Sequence, residues 1–101
     1  MKKQFTMYTD AGHGWLAIKV KDLFDVGAAY LISPYSYIRG KTAYLEEDSD
    51  AMEFIRKFRD KNGENSISLK VKHTDKRSPI RSYQSYSVFA AEQVYKEIKG
   101  W

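Results

Sequence analysis

Residues 44–58 read YLEEDSDAMEFIRKF and decide the fold, because an apolar run ends there at an acidic turn and a helix follows directly. Apolar side chains then recur at intervals of three and four residues, which indicates one buried helical stripe. The spacing predicts a helix from about Ser49 to Lys61. We expect Asp50 to be its N-cap, with Glu53 completing an acidic capping box three residues later.

Strand-like segments lie on both sides of this helix. Alternating patterns and runs of β-branched and aromatic residues mark short strands at 4–8, 15–20, 35–38, 42–45 and 67–73, with an extended segment at 80–83. Short helices are expected near residue 22 and from about Ser85 to Lys99. The connections between strands are mostly hairpin-like. These elements predict an α+β fold, in which two to three helices pack on one face of a mainly antiparallel sheet of four to five strands.

The composition indicates a single α+β domain spanning residues 1–101. Hydrophobic residues make up 43% of the chain, which is enough for one core at this length. The chain contains no cysteine, which excludes disulfides and thiolate metal sites and fits a reducing compartment. No apolar run approaches the roughly 20 residues of a membrane-spanning helix. The N-terminus lacks the apolar stretch of a signal peptide, so we expect a cytoplasmic protein without membrane contact.

A glycine-flanked loop carries the first candidate site. Asp10 and His13 lie three residues apart there, and a carboxylate beside an imidazole can orient the ring as a general base. The alternative is that Asp10 caps a turn and His13 is an exposed loop residue. His73 falls on the apolar side of its strand, where a half-buried structural histidine is the simpler interpretation. If His13, His73 and Arg81 converged, they would supply the acid, base and phosphate clamp of a metal-independent nuclease.

Carboxylates crowd the start of the central helix, at Glu46, Glu47, Asp48 and Asp50. Their oxygens could bind Mg²⁺ or Ca²⁺, but the spacing does not match a calcium-binding loop, and the helix dipole explains the same residues. With two histidines and no cysteine, a transition-metal site is not expected. Phosphate-loop and dinucleotide-binding patterns do not occur, so no cofactor is predicted.

Cations and tyrosines form a further candidate surface. Nine basic residues against three acidic ones lie between Arg56 and Arg81, and Tyr83 and Tyr86 follow them. Cations that track phosphates beside rings that stack on bases suit single-strand recognition, and the same patch would suit an acidic protein. The alternative is a solubilising face. The complete predicted contact surface comprises Asp10, His13, Trp15, Tyr35, Tyr37, Lys70, Lys72, His73, Arg77, Arg81 and Tyr83.

Four segments together resemble small proteins encoded by phages, plasmids and other mobile elements. The segments are TDAGHGWL at 9–16, ISPYSY at 32–37, YLEEDSDA at 44–51 and SPIRSY at 78–83. Ala11 and Ser49 stand where that group often has proline and cysteine. The group has no assigned activity, so the resemblance implies no catalytic residue. It implies instead the company of accessory genes, which often encode inhibitors of host defence or small nucleic-acid-binding factors.

Three hypotheses for the function follow. The first is a non-enzymatic mobile-element protein that binds a host protein or ribonucleoprotein and inhibits a defence complex, as anti-CRISPR and anti-restriction proteins do. The second is a nucleic-acid-binding protein that uses the basic and aromatic patch from Lys70 to Arg81. The third is a small metal-independent nuclease or hydrolase that uses His13 and His73. The sequence does not indicate the oligomeric state.

Overall fold

The computed structural model describes residues 2–101, which form six strands and three helices. The strands are β1 (Lys3–Thr9), β2 (Gly14–Lys19), β3 (Tyr37–Arg39), β4 (Thr42–Glu46), β5 (Ile67–His73) and β6 (Gln84–Ser85). The helices are α1 (Val20–Asp25), α2 (Asp50–Asn62) and α3 (Val88–Lys99), and short 3₁₀ turns occupy Ala29–Leu31 and Pro79–Ser82. The predicted α+β class is confirmed.

The strands form one mixed sheet in the order β5-β1-β2-β4-β3-β6. The predicted β1–β2 and β3–β4 hairpins are both antiparallel, as expected. However, the sheet has six strands rather than four to five, and β5 pairs with β1 in parallel. Alternation of apolar and polar residues carries no information about strand direction, and the long connection through α2 allows the parallel arrangement.

One face of the sheet carries the core. Side chains of one parity on β1 to β4 and the apolar sides of α1, α2 and α3 belong to a single buried cluster. Within it, the Phe5 ring meets the rings of Phe54 and Phe58 edge to face, at centroid distances of 5.4 and 5.3 Å. Residues of the other parity lie on the opposite face, which we call the open face. The aromatic members of this second set on β1 to β4 are Tyr8, Trp15, Tyr37 and Tyr44.

The start of α2 differs from the expected capping box. Ser49 occupies the N-cap position without a side-chain hydrogen bond, and Asp50 is the first helical residue. The Asp50 side chain is buried and turns instead towards Ser33 and Ser36, whose hydroxyls donate to it. The capping-box prediction is therefore wrong, because hydroxyl donors from a distant segment take the carboxylate.

β5 is less covered than its pattern predicted. Ile67 is buried, but Leu69 and Val71 are 46% and 61% exposed. The reason is that β5 is an edge strand, while α2 places its phenylalanines over Phe5 on β1. Within residues 2–101, no helix has both the length and the apolar character needed to cross a membrane.

Candidate functional site

Three connecting segments meet at one end of the sheet because of the strand directions. β1 and its parallel neighbour β5 both end here, with Thr9 beside His73. β2 begins here and β4 ends here, with Trp15 beside Glu46. The loop 10–13, the acidic turn after β4 and the segment 74–83 therefore share this end. The segment 74–83 then crosses the open face to reach β6 at the far edge of the sheet.

Asp10 anchors two of these segments. It is only 7% exposed, and its Oδ1 accepts hydrogen bonds from the backbone N–H groups of Gly12 and His13 at 3.0 Å each. Its Oδ2 accepts from the Ser78 N–H at 3.0 Å. The Arg81 guanidinium donates to both oxygens, from Nε at 2.7 Å and from Nη2 at 2.9 Å. Two segments 68 residues apart are thereby fastened by one carboxylate.

These contacts fix the charge of Asp10. The Arg81 guanidinium, followed by the Ser78 N–H, holds the pKa of the carboxyl well below its usual range, although burial opposes this shift. The hydrogen bond to Asp10 in turn raises the pKa of Arg81. Asp10 contacts the backbone of His13 and not its ring, so the carboxylate–imidazole arrangement suggested by the spacing is not formed. Asp10 is therefore a buried structural residue that joins the loop 10–13 to the segment 74–83.

The loop glycines serve close approach rather than unusual backbone angles. Neither Gly12 nor Gly14 has a positive φ. A Cβ at Gly12 would lie 3.0 Å from Nη2 of Arg81, and a Cβ at Gly14 would lie 2.6 Å from a carboxylate oxygen of Glu47. The glycines thus let the loop pack against Arg81 on one side and against the acidic turn on the other.

Asp50 anchors a further segment, residues 33–36, on the other side of the same end of the sheet. Its Oδ2 accepts from the Ser33 N–H at 3.0 Å, from the Ser33 hydroxyl at 2.6 Å and from the Ser36 hydroxyl at 2.5 Å. The Ser36 hydroxyl in turn accepts from the Glu46 N–H at 2.9 Å. This network ties residues 33–36 to α2 and β4, and Tyr35 projects from the tied segment.

Between these two anchored walls lies a cleft of about 490 Å³, which we call the acidic cleft. Its lining residues are His13, Trp15, Tyr35, Tyr37, Glu46, Asp48 and Arg81. The Trp15 ring lies 6.4 Å from the Tyr37 ring and 5.4 Å from the Arg81 guanidinium. Because Arg81 is already paired with Asp10, Glu46 and Asp48 give the cleft its net charge. Ring faces beside carboxylates suit a cationic side chain.

A second cleft, of about 250 Å³, lies farther along the open face and is called the tyrosine cleft. Three tyrosines line it, namely Tyr8, Tyr44 and Tyr83, and the other lining residues are Thr9, Lys72, His73, Thr74, Ser78, Pro79 and Ile80. The Tyr44 ring lies 6.3 Å from that of Tyr8 and 5.2 Å from that of Tyr83. Burial, and then the neighbouring Tyr83 and Tyr8, raises the pKa of Tyr44, which keeps the phenol neutral.

The predicted contact residues separate into these clefts and their surroundings. The acidic cleft is lined by His13, Trp15, Tyr35, Tyr37 and Arg81, although Trp15 is only 3% exposed and offers little surface to a partner. The tyrosine cleft is lined by Lys72, His73 and Tyr83. Lys70 is exposed on β5, and the exposed Arg77 donates to the Ser82 hydroxyl at 3.2 Å. Tyr86 does not belong to this surface, since it is 1% exposed and its hydroxyl donates to the Ala29 carbonyl.

The two histidines line different clefts. His73 places Nδ1 2.8 Å from the Thr9 hydroxyl and Nε2 3.0 Å from a carboxylate oxygen of Asp75, so both ring nitrogens have partners. The His13 ring instead packs beside Trp15, with centroids 6.0 Å apart. Arg81 joins His13 in the acidic cleft, but His73 does not. The arrangement brings together only part of the set required by the nuclease hypothesis.

Several cleft residues lie outside the predicted contact surface, among them Tyr8, Tyr44, Glu46 and Asp48. A usable signal existed for the tyrosines, because each lies on the polar parity of its strand beside a threonine. For Glu46 and Asp48 the helix dipole is a sufficient explanation in the sequence, so nothing there marks them as contact residues. Within residues 2–101, no group of three or more His, Cys, Asp or Glu side chains is placed to hold a metal ion.

No protein-family model, curated protein or solved structure matches this chain, so no relative's activity bears on the two clefts.

Proposed function

We propose that this chain is a non-enzymatic binding protein of a mobile genetic element. It attaches to a host protein or ribonucleoprotein and inhibits a defence complex by covering its surface. The observation that carries the proposal is the acidic cleft, a concave site whose walls are fixed by Asp10 and Asp50 before any partner arrives. Preorganised walls reduce the ordering cost of association.

The chemistry of the acidic cleft favours a basic segment of a protein partner. Tyr35 is 78% exposed and stands at the rim, where a ring can cover an incoming lysine or arginine side chain. Glu46 and Asp48 can then accept charge-assisted hydrogen bonds from the same cation. Aromatic anchors in a water-excluding pocket are typical of the residues that dominate binding energy at interfaces.

The placement of the histidines supports binding over catalysis. A general acid and a general base must both reach one substrate, whereas His13 and His73 line different clefts. The resemblance to mobile-element proteins supports the proposed role in host defence, and the absence of cysteine is compatible with action in the cytoplasm.

Affinity capture with matched baits tests the acidic cleft. The wild-type chain, Tyr35→Ala and Tyr30→Ala are used as baits in a lysate of the host. Tyr30 is a suitable control because it is 66% exposed and lies outside the cleft. We expect a stoichiometric partner that is retained by Tyr30→Ala and weakened roughly 30-fold by Tyr35→Ala, as for an interface hot spot. Recovery of no such partner, or equal retention by both variants, contradicts the proposal.

A cellular assay tests the inhibitory role separately. The chain is co-expressed with an active CRISPR or restriction system, and the efficiency with which a targeted plasmid becomes established is measured. We expect the wild-type chain and Tyr30→Ala to raise this efficiency and Tyr35→Ala to raise it less. If the efficiency stays at the level of cells without the chain in every defence system tried, the inhibitory role is wrong even where a partner is captured.

A further inference from the structure

The tyrosine cleft differs in chemistry from the acidic cleft. Three tyrosines line a small concave space, and none of its lining residues is acidic. Its volume of about 250 Å³ lies below the roughly 300–1,000 Å³ typical of pockets for drug-sized molecules. The dimensions therefore suit one flat ring system packed against Tyr44.

Cations stand beside two of the three rings. The Lys72 ammonium is 6.0 Å from the centroid of Tyr8, and the Arg39 guanidinium is 4.9 Å from that of Tyr83. Among residues 2–101, neither cation has a carboxylate within 4.0 Å. Within the same range, neither charge is neutralised by a carboxylate, although each cation lies over a tyrosine ring. Lys72 lines the tyrosine cleft itself, whereas Arg39 lies outside it, next to Tyr83.

A flat ring with an attached anion is the chemistry of a nucleotide. We infer that the tyrosine cleft binds a nucleobase, which stacks on the Tyr44 or the Tyr83 ring and meets the other ring with its edge, because the two rings are tilted by 60°. The attached phosphate is held by Lys72 or Arg39. The ligand is a free nucleotide or one unit of a single-stranded nucleic acid. The site goes beyond the proposed function, which concerns the acidic cleft, and a ribonucleoprotein partner could occupy both clefts together.

A single-stranded ligand fits the shape of this face better than a duplex. The rings lie on a sheet surface that the segment 74–83 crosses, so a base must be turned out of its stack to reach Tyr44. Base stacking on aromatic side chains contributes to single-strand binding largely without regard to sequence. Cations beside the rings then track the backbone, and binding is expected to weaken as salt is raised.

The test is a titration of the full chain with four probes at low salt. These are an oligothymidylate of about 10 nucleotides, which falls within the span of a small single-strand-binding domain, a duplex of matched length, UMP and uridine. Binding is followed by calorimetry and by the NMR signals of the tyrosine rings. We expect the oligonucleotide to bind more tightly than the duplex. Comparable binding of UMP indicates a free nucleotide as the ligand, and binding of the oligonucleotide alone indicates a nucleic-acid chain.

Variants locate the binding. Tyr44→Leu and Tyr83→Ala are expected to weaken oligonucleotide binding at least about fivefold, the lower end of measured stacking effects. Tyr44→Phe keeps the ring face and should bind normally. Lys72→Ala, at an exposed position that does not threaten folding, should weaken binding and lower the slope of log affinity against log salt by about 1. Tyr30→Leu and Lys96→Ala are the matched controls outside the cleft.

Two results overturn the inference. One is that neither UMP nor the oligonucleotide binds at concentrations up to about 1 mM, well above typical non-specific dissociation constants. The remaining candidate ligand for the cleft would then be an aromatic side chain of a protein. The other is that Lys72→Ala and Lys96→Ala weaken oligonucleotide binding equally while the tyrosine signals do not move. Tyr35→Ala should leave nucleotide binding unchanged, so failure here and failure of the acidic-cleft proposal can be told apart.

Discussion

The two walls of the acidic cleft are each fastened by one buried aspartate, and the two aspartates work differently. Asp10 uses both oxygens, which receive five N–H donors including a guanidinium. Asp50 uses one oxygen, which receives two rotatable hydroxyls and one N–H. The difference shows that the burial of an aspartate does not by itself predict how much its charge contributes to stability. The number of oxygens engaged, and whether the donors can turn, decide how well the site tolerates a neutral replacement.

The largest expected effect is that of Asp10→Asn. The NH₂ group of the asparagine replaces one of the two carboxylate oxygens, and its own N–H donors then oppose the two or three N–H groups that donated to that oxygen. The substitution also leaves Arg81 without a counter-charge. Partners that cannot rotate cannot relieve this conflict, and a charge left unpaired in a largely buried site is costly. We expect the melting temperature to fall by on the order of 10 °C, measured by circular dichroism. A fall no larger than that of Asp50→Asn would break the comparison.

The pH dependence of stability sharpens the same contrast. Because the folded-state pKa of Asp10 lies well below its ordinary value of 3.8, its contribution is fully present above that value and is lost as the pH falls towards the folded pKa. The free-energy difference between the wild type and Asp10→Asn should therefore shrink progressively from about pH 5 to pH 2. Urea unfolding of both proteins across this range measures the difference. If the free energies of unfolding of the two proteins changed in parallel with pH, the charge of Asp10 would not contribute to stability.

Ser36→Ala tests the wall held by Asp50. The fully buried hydroxyl both donates to Asp50 and accepts from the Glu46 N–H, so its removal leaves two polar groups short of a partner. The expected cost is roughly 1–2 kcal/mol in the free energy of unfolding. Ser82→Ala, at an exposed position, is the control and should change this free energy by less than about 0.5 kcal/mol.

Asp50→Asn should have the smallest effect. The amide oxygen can take the place of the single carboxylate oxygen that now receives all three donors, and neither hydroxyl need move. The loss is then limited to the charge component of those hydrogen bonds, about 1 kcal/mol or less in the free energy of unfolding. A cost as large as that of Asp10→Asn would mean that the charge of Asp50 is as necessary as that of Asp10.

Much of the fold was predictable because it depends on local patterns. The alternation in β1, β2 and β4, the glycine turn before β4 and the apolar stripes of α2 and α3 gave the α+β class and both hairpins. The parallel partner of β1 was not predictable, since nothing in residues 67–73 records the direction of the neighbouring strand. The exposure of Val71 follows from that same edge position.

The candidate site was predictable only in some of its members. Asp10, His13, Tyr35 and Arg81 were recognised as candidates, but the roles of the two aspartates depend on donors far away in sequence. The sequence suggested local partners, His13 for Asp10 and the start of α2 for Asp50. In the structure, guanidinium and hydroxyl groups from other segments supply stronger hydrogen bonds, and local spacing cannot reveal them.

The strand order has a consequence for synthesis on the ribosome. The four inner strands come from residues 3–46, and the two outermost strands, β5 and β6, are made last. A nascent chain that has emerged as far as β4 therefore presents two unpaired sheet edges and an apolar face still lacking α2 and α3. Such surfaces invite aggregation. Productive folding must wait for the last third of the chain, and a premature stop codon between residues 47 and 66 leaves the four-stranded sheet open on both sides.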